Sequence, residues 1–214
     1  MKNIVIVGAG GLASDLYTYL QLKLNKTLQI KGILVDDIKD YYDLNVDERY
    51  LGKIIDYKLK EDDLLLIAIG ENPGRKKILE YFNRKKANFF TLIHETTIVH
   101  PSANIGEGCI IGPFSIIGSN VSIHSNTFIN KYCNIGHNST IQKNLIMYPY
   151  SMIGGNCNIG KNVILSTRAT IAPKCKIGDN SIISAHTFIK KDIEDNILVF
   201  NFNKNIKKKI NNSQ

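Results

Sequence analysis

Five histidines are the side chains of this sequence best suited to moving a proton, and His137 is the best placed of them. It follows Gly136 in the run NIGHNSTI, so we expect its imidazole to project outward from a turn rather than into a core. An imidazole ionises near neutral pH and can accept and release a proton under physiological conditions. His137 is therefore a candidate general base. The alternative is a surface histidine with no chemical role.

A glycine-rich turn near the N-terminus is suited to binding phosphate. Gly8, Gly10 and Ala13 fit the pattern G-x-G-x-x-G/A, and the acidic pair Asp36-Asp37 follows at the distance expected of a dinucleotide-binding unit. Backbone N–H groups at the start of a helix would face the phosphate oxygens. The pattern by itself allows either a nucleotide-sugar site or an NAD site.

The turn belongs to a predicted α/β unit. KNIVIV, IKGILV and LLLIAIG are β-like runs, an amphipathic pattern follows the glycines, and the stretch from Pro73 to Phe82 is predicted to be helical. Strands alternating with helices indicate a small parallel α/β domain. Ligands bind such sheets at the carboxyl ends of the strands, where the turn from Gly8 to Gly11, Asp36-Asp37 and Gly70 would meet.

The second half of the sequence is a repeat. From Ile93 to Ile189 every sixth residue is aliphatic or Met, a period that fits neither an amphipathic helix nor an alternating strand. It is typical of a parallel β-helix in which three hexads close one triangular coil. The register predicts a little over five coils.

Small residues precede the aliphatic position by two, and all four cysteines fall there. No C-x-x-C pair occurs among them, so we interpret these cysteines as packing residues rather than as metal ligands or redox-active thiols: Cys109, Cys133, Cys157 and Cys175. Glycine often follows the aliphatic position, where a tight corner favours a residue with little steric restriction.

The histidines do not share one place on the coils. Only His100 and His137 lie at nearly the same angular position, about two coils apart, whereas zinc needs its ligands within about 2.1 Å of one ion. No metal site is predicted. His100, His124 and His186 are expected to be plain surface residues.

Composition is that of an ordinary globular protein, with 43% hydrophobic and 21% charged residues. No apolar stretch approaches the roughly 20 residues of a membrane span, and the N-terminus lacks the long apolar core of a signal peptide. We therefore expect a cytoplasmic protein. The net charge of +8 is concentrated in part in a lysine-rich tail, residues 201–214, which is typical of a solvated end rather than of nucleic-acid binding.

Taken together, the turn at Gly8 to Gly11, Asp36-Asp37, the runs IAIGENPGRKKI and TLIH, and the hexads resemble the sugar O-/N-acyltransferase family. Its members include sialic acid O-acetyltransferases and the acetyltransferases that complete bacillosamine and perosamine. The resemblance implies a Rossmann-like nucleotide-sugar-binding domain (residues 1–92), a left-handed β-helix acyltransferase domain (93–200) and the basic tail.

The resemblance also implies the reaction and its site. The expected function is acetyl-CoA-dependent acetylation of an amino or hydroxyl group on a nucleotide-activated sugar in bacterial surface-glycan synthesis. A homotrimer would form the active site between adjacent β-helices, His137 would be the general base, and no metal would take part. The residues expected to bind the sugar nucleotide are Gly8, Gly10, Gly11, Asp36, Asp37 and Gly70. The residues expected to bind acetyl-CoA are Gly155 and Ala185.

The sequence departs from the family at positions that bear on acetyl transfer. Asn138 replaces the acidic residue that commonly follows the histidine, Ile146 stands where some members have a second histidine, and NFNK replaces a G-x-P-A-K segment that helps to hold CoA. Two alternatives therefore remain open: a non-catalytic protein on the same scaffold, and a different acyl donor such as a formyl or hydroxyacyl group.

Overall fold

The computed structural model describes residues 2–24, 27–44, 46, 49–70 and 72–201. None of the helices in these ranges combines the length and the apolar character that a bilayer crossing requires. Apart from Asn201, the predicted basic tail lies outside the described residues.

The N-terminal half is a parallel sheet flanked by helices. Its strands lie in the order β3-β2-β1-β4-β5, and β1 pairs in parallel with both β2 and β4. The elements are β1 (Lys2–Val7), α1 (Gly11–Gln21), β2 (Leu28–Leu34), α2 (Ile38–Leu44), β3 (Tyr50–Gly52), β4 (Asp63–Ile67), α3 (Asn72–Arg84) and β5 (Asn88–Phe89). The predicted strands and helices are present, whereas α2, β3 and β5 carry no pattern that distinguished them in the sequence.

The C-terminal half is a β-helix made of two-residue strands. They are β6 (Leu92–Ile93), β7 (Ile98–Val99), β8 (Asn104–Ile105), β9 (Ile110–Ile111), β10 (Ile116–Ile117), β11 (Ser122–Ile123), β12 (Phe128–Ile129), β13 (Asn134–Ile135), β14 (Thr140–Ile141), β15 (Ile146–Met147), β16 (Met152–Ile153), β17 (Asn158–Ile159), β18 (Ile164–Leu165), β19 (Thr170–Ile171), β20 (Lys176–Ile177), β21 (Ile182–Ile183), β22 (Phe188–Ile189) and β23 (Leu198–Val199). Each pairs in parallel with the strand one coil away, as Ile129 does with Ile111 and Met147. The hexad prediction is confirmed.

The interior of the β-helix consists of the residues that the hexad register predicted. The aliphatic positions from Ile111 to Ile189 and all four cysteines belong to one buried cluster, and Ile93, Val99 and Ile105 are partly buried against it. The Cys133 thiol lies 3.3 Å from the carbonyl oxygen of Tyr148 one coil above. Burial raises the pKa of the Cys133 thiol, although hydrogen bonds from Ser151 and the backbone oppose that rise. These thiols are packing groups, as predicted.

Glycine is required after the aliphatic positions for a reason that differs from the predicted one. A Cβ on Gly136 would lie 2.5 Å from the backbone nitrogen of Gly155, so glycine is needed because the next coil passes very close. The positive φ angles of the corners fall on other residues, such as Asn138 at 55°. Asparagine adopts this conformation at less cost than most residues.

The triangular β-helix has three faces of different character. The covered face (β6, β9, β12, β15, β18, β21, β23) packs against the α/β half through Leu92, Ile110, Phe128 and Ile146. The apolar face (β7, β10, β13, β16, β19, β22) exposes Ile98, Ile116, Met152 and Phe188 to solvent. The polar face (β8, β11, β14, β17, β20) points side chains such as Asn104, Thr140 and Lys176 outward.

Candidate active site

A pocket of about 770 Å³ lies between the α/β half and the β-helix, and we call it the junction pocket. The α/β half lines it with Gly8, Ala9, Gly10, Gly11, Leu12, Asp15, Val35, Asp36, Asp37, Asp40, Ile54, Ala68, Ile69, Gly70 and Gly74. The β-helix lines it with Phe128, Asn130, Lys131 and Tyr148.

The junction pocket brings together all six residues predicted to bind substrate. Gly8, Gly10 and Gly11 follow β1, Asp36 and Asp37 follow β2, and Gly70 follows β4. Three parallel strands end side by side, so the segments after them converge at one edge of the sheet. That the six residues bind substrate stays a prediction.

The glycines of the turn differ from one another in conformation. Gly10 has φ of −78°, and among the described residues no heavy atom beyond its chain neighbours lies within 4 Å of a Cβ built on it, so a left-handed conformation is not what requires glycine there. The left-handed residue is Gly8, with φ of +105°, and a Cβ on Gly8 would lie only 3.0 Å from the carbonyl oxygen of Ala68. A side chain at Gly10 would instead point into open space at the junction pocket.

The acidic pair is anchored by backbone amides. Asp36 Oδ1 accepts a hydrogen bond from the Ile54 amide at 3.0 Å, and Asp37 Oδ1 accepts one from the Lys39 amide at 2.9 Å. These bonds fix both side chains at the rim of the pocket. They also attach the segments around α2 and β3 to the end of β2.

The β-helix wall of the pocket was not predicted from the sequence. Tyr148 donates a hydrogen bond to the carbonyl oxygen of Gly70 at 3.2 Å, and Lys131 Nζ lies 3.4 Å from Asp15 Oδ2. Both contacts join residues that are far apart in the chain. No local pattern could have found them, because the hexad register says only that positions 131 and 148 lie outside the core.

Arg75 is a second residue that the sequence did not single out. It is fully buried at the start of α3, and it donates to the carbonyl oxygens of Ile67 (2.7 Å), Ile69 (3.3 Å) and Asn126 (3.3 Å). Its guanidinium also lies 5.9 Å from the centre of the Phe128 ring. Burial lowers the pKa of Arg75 to about 10. Arg75 thus connects the end of β4, behind the pocket, to the β-helix.

His137 lies on a different edge of the β-helix, which we call the histidine corner (residues 136–139, with their equivalents in the other coils, between the apolar and polar faces). Its imidazole is exposed, as predicted. Asn138 Nδ2 lies 3.0 Å from His137 Nδ1. Gly155, one coil above, lies against the other part of the ring, because a Cβ there would be 2.8 Å from Nε2.

The two residues predicted to bind acetyl-CoA are separated. Gly155 adjoins His137, whereas Ala185 is an exposed turn residue between β21 and β22, on the corner between the covered and apolar faces. Among the described residues, which include all five histidines and all four cysteines, no three His, Cys, Asp or Glu side chains are grouped to hold a metal ion.

His137 and the junction pocket lie at opposite edges of the apolar face. Lys131 is on the pocket corner (residues 130–133 and equivalents, between the covered and apolar faces), and His137 follows after β13. Within one chain the width of the apolar face therefore lies between the imidazole and the pocket.

Three family matches cover most of the chain. The PglD N-terminal domain matches residues 3–82, the GMPPB C-terminal domain matches residues 93–166, and the bacterial transferase hexapeptide (six repeats) matches residues 156–191. A UDP-N-acetylbacillosamine N-acetyltransferase from Bacillus subtilis (strain 168) is 36% identical over 115 residues, which are 52% of this chain. The alignment spans 51% of that protein, about half of its length.

Two solved structures have the same fold over nearly the whole chain. The acetyltransferase domain of PglB from Neisseria gonorrhoeae FA1090, in complex with acetyl coenzyme A, has a TM-score of 0.79 at 20% identity, covering 92% of this chain and 95% of that one. PerB from Caulobacter crescentus, in complex with CoA and GDP-perosamine, has a TM-score of 0.69 at 21% identity, covering 92% and 93%. The predicted fold, an α/β Rossmann-like unit followed by a left-handed β-helix, is confirmed. The chain thus combines, in this order, a match to the PglD N-terminal domain and matches to hexapeptide-repeat domains.

Proposed function

We propose that this chain is an acetyl-CoA-dependent acetyltransferase that acylates an amino or hydroxyl group of a nucleotide-activated sugar in bacterial surface-glycan synthesis. The observation that carries the proposal is the junction pocket, in which the glycine turn and Asp36-Asp37 converge beside a β-helix that presents an exposed histidine. The relatives named above, one acting on an acetylbacillosamine nucleotide and others holding acetyl-CoA or CoA with GDP-perosamine, support the substrate classes.

In the proposed reaction the sugar amine or hydroxyl attacks the thioester carbonyl of acetyl-CoA directly. A C–N or C–O bond forms and the C–S bond breaks, so the products are the acetylated sugar nucleotide and CoA. His137 takes the proton that the attacking group loses, and the CoA thiolate takes up a proton as it leaves. The acidic residue expected to orient the histidine is replaced here by Asn138, whose side chain contacts Nδ1.

A homotrimer would complete this site. The apolar face exposes Ile98, Ile116, Met152 and Phe188, a stripe that favours burial against another copy. If three copies turn their apolar faces toward one threefold axis, the pocket corner of each copy comes beside the histidine corner of the next. The sugar bound in one copy would then lie beside His137 of the neighbouring copy, whereas His137 of its own copy lies across the apolar face.

The pocket corner carries a further exposed apolar feature. Phe114, Tyr132 and Tyr150 are stacked on successive coils, with ring centres 5.0 and 4.9 Å apart and φ angles of 58–63°. The equivalent residues of the histidine corner include Asn120, Asn138 and Asn156. Aromatic residues adopt positive φ at a greater cost than asparagine. Their presence on this corner favours a contact with a neighbouring copy.

The test combines ligand binding with turnover. Acetyl-CoA, other acyl-CoAs, UDP and GDP are compared by thermal shift, since a ligand at 100 times its Kd stabilises the folded state by about 2.7 kcal/mol. Mass spectrometry then follows acetyl transfer to UDP- and GDP-linked amino sugars. Acetyl-CoA and one nucleotide are expected to stabilise the protein, and a sedimentation experiment should give a trimer. If a formyl- or hydroxyacyl-CoA stabilises the protein and acetyl-CoA does not, that acyl-CoA is the donor in place of acetyl-CoA. If the protein binds neither an acyl-CoA nor a nucleotide, the proposal is wrong.

A further inference from the structure

The junction pocket has an unfavourable charge balance for an anionic ligand. The described residues lining it include four carboxylates, Asp15, Asp36, Asp37 and Asp40, against a single cation, Lys131. A nucleoside diphosphate brings further negative charge, which the carboxylates of the same pocket repel. The diphosphate must therefore be held where positive charge and N–H donors are concentrated, away from Asp36 and Asp37.

Two such groups face the same part of the pocket. The N-terminus of α1 has Gly10 as its N-cap, with no side-chain cap and no acidic residue in its first turn, so its backbone N–H groups are directed at the pocket without a competing carboxylate. Lys131 lies across from it on the β-helix, with its Nζ 3.4 Å from Asp15 in the second turn of α1. An anion between these two groups would be held from both sides.

The contact between Lys131 and Asp15 is weak enough to be replaced. Their side chains are 40% and 49% exposed, and ion pairs of this kind contribute about 0–1 kcal/mol. A diphosphate carries more negative charge than one carboxylate, and it can accept a shorter charge-assisted hydrogen bond from Lys131 than the 3.4 Å contact with Asp15. Asp15 can hold the ammonium group beside the pocket without preventing it from meeting a phosphate.

We infer that Lys131 is the phosphate-binding cation of the nucleotide-sugar site, and that Asp15 keeps its ammonium group beside the start of α1 until the diphosphate replaces that contact. The inference rests on the proposed function, because it specifies which residue binds the diphosphate of that substrate. It also makes the nucleotide site a joint product of both halves. The β-helix then binds the sugar nucleotide as well as presenting the histidine.

Calorimetry on the full chain tests this with UDP and GDP and with the corresponding nucleosides, uridine and guanosine. Lys131→Met should weaken binding of the preferred diphosphate at least about tenfold, about 1.4 kcal/mol, and leave nucleoside binding unchanged. Lys131→Arg, which keeps the charge, should retain most of the affinity. Asp15→Asn removes both the anchor of the ammonium group and a competing carboxylate, two opposing effects, so diphosphate affinity should change by no more than a few-fold.

The matched control is the ion pair between Lys161 and Asp179, which has a distance of 3.8 Å, comparable exposure and no place in the junction pocket. Lys161→Met should leave diphosphate binding unchanged. If the wild type binds a diphosphate and Lys131→Met binds it equally well, the role of Lys131 is overturned while the proposed function stands. If Lys131→Met and Asp15→Asn lose affinity equally, the pair only shapes the pocket and the inference is also wrong. A wild type that binds neither UDP nor GDP overturns both the inference and the nucleotide part of the proposed function.

Discussion

The imidazole of His137 lies directly against the backbone of Gly155, since a Cβ built on Gly155 would be 2.8 Å from Nε2 and 2.9 Å from Cε1. The three atoms nearest to that Cβ all belong to the His137 ring. Gly155 therefore leaves room for the imidazole of the coil below. This gives Gly155, predicted from the family resemblance to contact acetyl-CoA, a steric role beside the proposed base.

Gly155→Ala should displace the imidazole without disturbing the coil. We expect kcat to fall about 10- to 100-fold, the cost of misplacing a catalytic group by about 1 Å, while the melting temperature stays nearly unchanged. Gly154→Ala is the contrasting variant, because its Cβ would lie 2.6 Å from the backbone nitrogen of Pro173 and should lower stability. Turnover and thermal melting of both variants decide the matter, and a wild-type rate for Gly155→Ala would show that the ring position is not critical.

His137→Ala should leave the oligomeric state and acetyl-CoA affinity nearly intact and slow turnover by about 10²–10⁴-fold, the usual contribution of a general base. The exposed imidazole belongs to no buried cluster, so its removal leaves no cavity. Light scattering, calorimetry and steady-state kinetics provide the three readouts. His124→Ala, on another corner, is the control, and a His137→Ala enzyme with wild-type kcat would exclude His137 as the base.

The side chain of Asn138 biases the tautomer of His137. An amide N–H beside Nδ1 favours the tautomer with its proton on Nε2, whereas a base that acts through Nε2 needs the proton on Nδ1. An acceptor oxygen at this position would hold the proton on Nδ1 and free Nε2. Asn138→Asp should therefore raise kcat at least about threefold.

The tautomer is read directly from the ¹⁵N chemical shifts of the imidazole in wild type and Asn138→Asp. Asn180→Asp, in an asparagine ladder on a different corner, controls for the added charge. A lower kcat for Asn138→Asp, together with an unchanged tautomer, would contradict this account of the histidine corner.

Arg75 should be essential to the attachment of the two halves. Arg75→Met keeps much of the bulk but leaves three carbonyl oxygens without their donor, so we expect a loss on the order of 2–4 kcal/mol in the free energy of unfolding. Arg75→Lys cannot replace the planar fork and should be destabilised as well. Urea denaturation measures both, with the exposed neighbour Lys76→Met expected to stay within about 0.5 kcal/mol of wild type. A Lys variant with wild-type stability would show that charge, rather than geometry, matters there.

A cluster at the other end of the sheet should make stability depend on pH. Burial alone would raise the pKa of the Asp63 carboxyl, but hydrogen bonds from Lys31 (2.5 Å), the Lys60 amide and Tyr57 bring the pKa below its ordinary value. Burial would lower the pKa of Lys31, yet its bonds to Asp63 and Tyr57 raise that pKa. Asp63 therefore contributes stability that is complete above about pH 5 and is lost as pH falls through its depressed folded pKa. Lys31 contributes stability below about pH 10 that is lost above its raised folded pKa.

Asp63→Asn should lower the free energy of unfolding at pH 7 by about 2–3 kcal/mol and flatten its decline in acid. Circular dichroism at 222 nm is a suitable probe, because the described helices all lie in the α/β half. Urea midpoints are measured from pH 2.5 to 7 against the exposed Glu61→Gln as control. If the free energy of unfolding falls as steeply with decreasing pH in Asp63→Asn as in wild type, other carboxylates cause the loss of stability in acid.

The fold, and the convergence of the candidate substrate residues at one edge of the sheet, were both predictable from the amino-acid sequence. A six-residue period of aliphatic residues fits only a β-helix, because each such side chain must fall at the same place on a coil, and Ile129, Ile135 and Ile141 are buried accordingly. The glycine turn, Asp36-Asp37 and Gly70 could be placed together because strand ends in a parallel sheet share an edge. These are periodic or local signals, carried by neighbouring residues.

What faces those residues depends on the packing of the two halves. Lys131 meets Asp15 across 116 positions, and Arg75 reaches Asn126 across 51, because the covered face of the β-helix packs on the α/β half. A repeat register states which residues point outward but not what they meet, since that depends on how two independently patterned halves pack. The contact of Gly155 with His137 arises for a related reason: coils stack at a distance set by the backbone, so a residue 18 positions away in sequence becomes the nearest neighbour in space.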